Sequence, residues 1–186
     1  MRMILVAALA AAVLAGCAGP GDLAPIEQGA PTGVYRLDSG DQLRITVFNQ
    51  DQLTGLYSVD PAGDISMPLI GPVPTRGLTP DELEKSLVKR LSQDQNILVN
   101  PSINVQIQTY RPFYILGEVK NPGQYPWAHE STVLSAVAVA GGFTYRARQD
   151  FVSITRKNGD QVVERRGDRS SLIQPGDVVY VYERYF

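Results

Sequence analysis

The sequence predicts an α+β protein of two small modules, the second of them a β-grasp in which a helix lies across a small sheet. Three observations carry this. Apolar residues alternate at Leu43, Ile45 and Val47 and again at Ile103, Val105 and Ile107, the period of half-buried strands, with one strong helix signal between them. Residues 113–142 read as strand, turn, strand and then a small-residue helix that stops on two glycines. Asn158-Gly159 separates two further extended runs, and Asn-Gly in that setting is the strongest short hairpin signal.

In chain order, Met1 to Gly16 has a positive Arg2, an apolar run from Met3 to Ala15 and then small residues. That is the anatomy of a secretory signal peptide, and it is shorter than the about 20 residues a spanning helix needs. The run ends in Leu14-Ala15-Gly16-Cys17, a match to the bacterial lipobox that contains the only cysteine of the chain. Cys17 is therefore the expected site of lipidation, and several acyl chains at about 0.8 kcal/mol per buried CH₂ make a lasting membrane anchor. Ala18 stands where enterobacterial lipoproteins retained at the inner membrane often have Asp, which favours the outer membrane. Residues 17–33 are rich in Pro, Gly and Ala without a period, and read as a lipidated cysteine followed by a flexible tether.

Residues 34–109 form the first module. Ser39-Gly40-Asp41 is a turn into the strand that carries Leu43, Ile45 and Val47. Tyr57 to Val59 is a second extended piece, Asp60-Pro61-Ala62-Gly63-Asp64 another turn, and Ile65-Ser66-Met67 leads into the Pro- and Gly-punctuated 68–77. Thr79-Pro80-Asp81-Glu82 is a capping box with Pro at N1, so a helix is expected from Pro80 to about Ser92, burying Leu83, Leu87 and Leu91. Asn100-Pro101 then breaks the chain before an amphipathic strand at Ile103, Val105 and Ile107.

Residues 110–186 form the second module. Phe113 to Val119 is β-favouring, Lys120-Asn121-Pro122-Gly123 is turn chemistry, and Gln124 to Trp127 resumes extension. Ser131 offers an N-cap, Val133, Leu134, Val137 and Ala140 an apolar stripe with Ala136 and Ala138 allowing close packing, and Gly141 a positive-φ stop. Phe151 to Thr155 and Gln161 to Glu164 flank the Asn-Gly turn, and Pro175-Gly176-Asp177 turns into Val178 to Tyr182. Gly-Asp precedes an apolar strand at 40–41, 63–64 and 176–177, a recurring turn idiom whose flanks do not match well enough to make a repeat.

Composition excludes several functions. Net charge is −2, and the 17 Lys and Arg are scattered, so the basic stripe of a nucleic-acid binder is missing. One cysteine excludes an internal disulfide or a Cys-rich metal cluster, and the single His129 removes most of what a zinc site or catalytic triad requires. No residue is assigned to catalysis, to a metal or to a cofactor. Asp38 with Asp41, and Asp81 with Glu82 and Glu84, resemble paired carboxylates, yet the first pair lies in a strand-entry turn and the second group at a helix N-terminus. Tyr110, Tyr114, Tyr125, Trp127 and Tyr145 are the aromatics available to stack on sugar faces, against the commoner role of such residues in a core.

Taken together, YRLDSGDQLRITVF, VDPAGDISMPLIGPV, GLTPDELEKSL and PSINVQI resemble the polysaccharide export domain of the bacterial outer-membrane polysaccharide export family, the Wza-like or OPX lipoproteins. ILGEVKNPGQYPW, TVLSAVAVAGGFT and PGDVVYVYE are similar to one SLBB domain, a β-grasp module. The resemblance implies a homo-oligomeric periplasmic ring, tied by lipid to the outer membrane, through which capsular or extracellular polysaccharide leaves the cell in concert with an inner-membrane copolymerase. Long members have more than one SLBB region and a C-terminal amphipathic helix that lines the membrane pore. Here only Glu183-Arg184-Tyr185-Phe186 follow the last strand, so a separate outer-membrane β-barrel is the expected partner.

Arg111, Arg146 and Arg148 fall near the β-grasp loops, with Glu118 and Tyr145 beside them. They are candidates for lining a passage for an acidic polymer, for pairing across a ring interface, or for plain solvation, with interface pairing favoured on the ring that the resemblance implies. The alternative function is a monomeric β-grasp lipoprotein that binds a soluble saccharide or other small ligand. A cell-envelope hydrolase is disfavoured by the composition.

Overall fold

The computed structural model describes residues 23–26, 34–94, 97–159 and 161–184. The expected signal peptide, Cys17, most of the tether and Phe186 lie outside them.

The fold is α+β, as the sequence predicts, with two sheets that each carry a helix and a separate core. In the first, β1 (Gln42–Val47) is the central strand of an antiparallel sheet ordered β2-β1-β5, between β2 (Gly55–Ser58) and β5 (Ile103–Thr109). The alternation read from the sequence is the inward face: Leu43, Ile45, Val47, Ile103 and Val105 are buried. Helix α1 (Pro80–Lys89) covers that face and continues into a π turn at Arg90–Asp94. Leu83, Leu87 and Leu91 are completely buried, each contributing roughly 1.5–3 kcal/mol of apolar burial.

The capping box forms as expected. The Glu82 N–H donates to Thr79 Oγ1 at 3.2 Å, and the Thr79 N–H donates to Glu82 Oε2 at 2.9 Å. That backbone donor, with the Arg36 guanidinium 3.2 Å away, holds the Glu82 carboxyl below the usual carboxylate range.

β3 (Asp64–Met67) pairs with β4 (Gly71–Pro74) in a two-stranded ribbon. The sequence reading has no strand at 71–74, because two prolines argue against one. The ribbon accommodates them: Pro72 and Pro74 are exposed on an edge strand and alternate with the buried Val73, so their missing N–H groups break no interior ladder.

The second sheet is ordered β7-β6-β10-β8-β9, from β6 (Phe113–Gly117), β7 (Gly123–Tyr125), β8 (Val152–Asn158), β9 (Gln161–Gly167) and β10 (Val178–Val181). β6 and β10 run parallel and every other pair is antiparallel, and the β8–β9 ladder closes at Asn158↔Gln161. Helix α2 (Val133–Val139) lies over its inner face and ends where Gly141 takes φ 84°.

Two sequence expectations are corrected here. The N-cap is Thr132, not Ser131: Thr132 and Ser135 form a reciprocal box, while the Ser131 hydroxyl turns back to the Ala128 carbonyl. The buried stripe is Val133, Ala136, Val137 and Ala140, and Leu134 is 51% exposed. Ala136 packs closely as expected, while Ala138, like Leu134, is exposed.

The tether reading also needs amendment at one point. The Ile26 N–H donates to the Arg166 carbonyl at 2.7 Å and the Arg166 N–H to the Ala24 carbonyl at 2.9 Å, so residues 24–26 form a short parallel strap on the outer edge of β9. Ile26 packs on the second core. No period marks this segment, so the sequence alone reads it as linker. Among the described residues no helix is long and apolar enough to cross a membrane.

The corrected helix face gives a paired prediction for urea unfolding. Leu87→Ala should cost about 2–5 kcal/mol, whereas Leu134→Ala should stay within about 0.5 kcal/mol of the parent. A large loss from Leu134→Ala would contradict the assigned face of α2.

Candidate functional site

Two constellations organise the chemistry, one between the modules and one at the loops of the second. The first is built on Asp41, a fully buried carboxylate at the entry to β1. A carboxylate removed from water needs donors on both oxygens. The Asp38 N–H donates to Oδ2 at 2.9 Å, the Arg111 N–H donates to Oδ1 at 2.8 Å, and the Tyr35 hydroxyl lies 2.7 Å from both. The Arg111 guanidinium stands 3.6 Å from Oδ2 and donates through Nη1 to the Tyr35 oxygen at 3.0 Å. Burial first, and the Asp41 charge second, push the Tyr35 hydroxyl far above its usual range, so it stays a donor.

Arg111 also reaches into the second module. Its Nε donates to the Pro175 carbonyl at 3.0 Å, and the Gly176 N–H donates to the Pro112 carbonyl at 3.1 Å. Gly176 has φ 85°, and a Cβ there would stand 2.6 Å from Arg111 Nε, so this turn needs glycine twice over.

That turn repeats the one around Asp41. In each, the N–H three residues upstream donates to the Asp carboxylate, and the Asp N–H donates back to that residue's carbonyl: Asp38 with Asp41, and Gln174 with Asp177. Each Asp is buried and meets an arginine, since Arg156 donates to both oxygens of Asp177, at 2.9 and 2.7 Å. The Gly-Asp idiom is thus a structural device at two of its three sites. At 63–64 the acceptor is Asp60 instead, through the Gly63 and Asp64 N–H groups.

An aromatic ladder runs beside the clamp. Tyr35, Tyr110 and Trp127 meet edge to face with centroids 5.0 and 4.9 Å apart, and Trp127 Nε1 donates to the Ile173 carbonyl. Tyr125 lies against Phe113. Of the five aromatics considered for sugar stacking, only Tyr114 and Tyr145 are exposed.

The second constellation gathers four of the five expected interface or passage residues. Glu118 accepts from the Thr144 hydroxyl at 2.5 Å, Arg146 pairs with Glu183, and Arg148 Nε lies 3.0 Å from Asp150 Oδ1. The backbone ties the same loop to the C-terminal segment: the Arg148 N–H donates to the Tyr182 carbonyl and the Arg184 N–H to the Arg146 carbonyl, both at 2.8 Å. Tyr145 projects from it, 86% exposed.

Arg111 does not join them. It is 19% exposed and engaged between the modules, so it sits apart from Arg146 and Arg148. His129 is exposed beside Glu130. Asp41, Tyr35, Asp177 and Arg156 are functional in holding the body together; the recurring Gly-Asp turn pointed to the two aspartates, and no sequence signal singled out Tyr35 or Arg156.

Arg111→Met should cost roughly 3–5 kcal/mol, since removing one partner of a buried ion pair leaves the Asp41 charge uncompensated, and should split a single unfolding transition into two. One unaltered transition would show that the modules are coupled elsewhere. Acid sensitivity follows from Asp38: burial acts to raise its carboxyl, but the Ser39 N–H and then the Arg111, Lys157 and Arg76 charges outweigh it and hold it below the usual value of 3.8. A depressed carboxyl stabilises the fold above the unfolded value and loses that contribution as pH falls below it. Melting temperature should therefore fall below about pH 4, and less steeply in Asp38→Asn.

Comparison with known proteins follows the same division. The family described as polysaccharide biosynthesis/export protein matches residues 29–108, and the SLBB domain matches residues 112–166. The exopolysaccharide production protein ExoF of Rhizobium meliloti (strain 1021) is 32% identical over 146 residues, covering 70% of this chain and 35% of that protein. The polysialic acid transport protein KpsD of Escherichia coli is 29% identical over 141 residues, covering 73% of this chain and 25% of that one. The chain thus matches about a third and a quarter of the lengths of these relatives. With an export module, a β-grasp module and these relatives in hand, the chain belongs to the polysaccharide export family and carries one SLBB domain.

Proposed function

We propose that this chain is a ring-forming outer-membrane lipoprotein, acylated at Cys17 with its folded modules in the periplasm, that serves export of capsular or extracellular polysaccharide. The observation that carries the reading is the joining of an export module and an SLBB module into one body through Asp41 and Arg111. A subunit whose two modules keep a fixed angle can repeat around an axis with the same contacts each time. Ring formation is further supported by apolar side chains left at the surface: Phe48 is 70%, Leu69 59% and Val139 62% exposed. Leu69 also takes φ 70°, a conformation that costs a leucine about 1–2 kcal/mol and turns it outward at the tip of the β3–β4 ribbon.

The mechanism of such a ring is geometric: a polar-walled passage aligned between membranes, with no bond made or broken. The family matched by the first module is described as polysaccharide biosynthesis/export, and the relatives are named for exopolysaccharide production and polysialic acid transport, which supports this reading. An inner-membrane copolymerase would deliver the polymer, and a separate outer-membrane β-barrel would complete the route.

A monomeric saccharide-binding lipoprotein is the second reading. It is favoured by the outward face of the second sheet, where Tyr114, Leu116 and Tyr180 are exposed on the neighbouring strands β6 and β10.

Mass in mild detergent separates the two. The lipidated protein should run at a multiple of its protomer mass, and a strict monomer would remove the ring. Cys17→Ser should release the protein from the membrane fraction, and persistent attachment of that variant would contradict the anchor.

A further inference from the structure

Five arginines from separate parts of the chain converge on one end of the SLBB module. Arg148 and Arg166 stand over the Phe151 ring, with guanidinium carbons 4.4 and 4.9 Å from its centroid. Arg169 donates to the Gln149 carbonyl at 3.0 Å and to Gln149 Oε1 at 2.7 Å. Arg146 and Arg184 are joined through the backbone bond between their segments. A polar cleft of about 300 Å³ opens among them, lined by Arg148, Gln149, Asp150 and Arg184. The carboxylates paired within the cluster are Asp150 and Glu183, and the adjacent Asp168 accepts from the Ser170 and Ser171 hydroxyls.

The arginines are also held ready. Stacking on Phe151 and hydrogen bonding to Gln149 fix guanidinium planes that would otherwise lose rotamer freedom on binding. Planar guanidinium forks match carboxylates bidentately, and the exposed Tyr145 on the same loop offers an aromatic face to a sugar ring.

We infer that this rim is a contact site for an acidic saccharide, the carboxylates of a uronic-acid-type polymer pairing with Arg146, Arg148 and Arg166 while Tyr145 lies against a pyranose face. The inference rests on the export reading and narrows it to a polyanionic polymer. Arg146 and Arg148 exchange their exposed partners Glu183 and Asp150 for the polymer's carboxylates, which keeps each contact reversible and permits movement along the chain.

Calorimetric titration of the full mature protein with oligogalacturonate tests it, with a neutral dextran oligosaccharide and phosphatidylglycerol vesicles as comparators. Oligogalacturonate should bind at low salt and weaken as salt rises, dextran should not, and R148Q/R166Q should lower affinity at least about tenfold, the loss of one or two charge-assisted bonds. Arg146→Gln, which leaves the Phe151 stack in place, should shift affinity in the same direction, R148K/R166K should retain more of it, and Arg44→Gln on the first module should change nothing.

Equal affinity in R148Q/R166Q and the parent, equal binding of dextran, or binding to the vesicles alone would overturn the site. In cells lacking the chain, full export of an acidic polymer restored by R148Q/R166Q would overturn the rim and leave the export reading standing. Undiminished export in the cells without the chain would overturn the export reading itself.

Discussion

The buried carboxylate of Asp41 is the constraint on which the arrangement of the two modules depends. An ionised carboxylate without water must be surrounded by donors, or the folded state bears a desolvation penalty of several kcal/mol. The first module supplies the Asp38 N–H and the Tyr35 hydroxyl. The remaining backbone donor and a cation come from Arg111, at the threshold of the second module. Neither module therefore completes this site alone. Arg111 is in turn fixed by the Pro175 carbonyl and the space that Gly176 leaves open, so the orientation chosen at Asp41 is transmitted to the turn that starts β10, the central strand of the five-stranded sheet.

The same turn chemistry is used twice, and its second use stabilises the SLBB core from within. Asp177 holds Gln174 and Arg156 as Asp41 holds Asp38 and Arg111. Arg156 belongs to β8 and also donates to the Leu172 carbonyl, so one buried carboxylate links the turn, the adjacent strand and the connection that precedes it. Both turns introduce a strand that lies inside its sheet, β1 and β10, where a shift of register would carry the apolar face to solvent. A polar group that pins the first residue of an interior strand is a direct way to prevent such a shift.

Much of this fold is legible in the sequence because local and tertiary preferences agree. Leu83, Leu87 and Leu91 have the helical period, a capped start and a buried outcome, and the alternating residues of β1 and β5 behave likewise. Where the two disagree, the sequence misleads in identifiable ways. At α2 hydrophobicity ranks Leu134 above Ala136, but the i, i+3, i+4, i+7 spacing of Val133, Ala136, Val137 and Ala140 sets the inward face and leaves Leu134 off it. Pro72 and Pro74 conceal β4 because propensity does not know that the strand is an edge. Residues 24–26 carry no signal at all, since their strand-like conformation comes from β9, whose Arg166 is far along the chain. Arg111 reads from the sequence as an interface or passage candidate beside Arg146 and Arg148 for the same reason: the carboxylate that gives it its role is 70 residues away.

Desolvation also separates the arginines by role, which spacing along the chain could not do. Arg111 and Arg156 are each 19% exposed and face carboxylates almost wholly withdrawn from water. Breaking such a pair strands a buried charge, so these contacts do not exchange and belong to the fold. Arg146 and Arg148 face Glu183 and Asp150 at the surface, with 39–60% of each side chain exposed. Exposed pairs contribute only about 0–1 kcal/mol because water competes for both partners. A contact that water can replace, an incoming carboxylate can replace as well. The arginines best suited to meet a polymer are therefore those whose present partners hold them least, and these lie together on the loops and the C-terminal segment that surround Phe151, while the arginine grouped with them by sequence alone keeps the two modules in line.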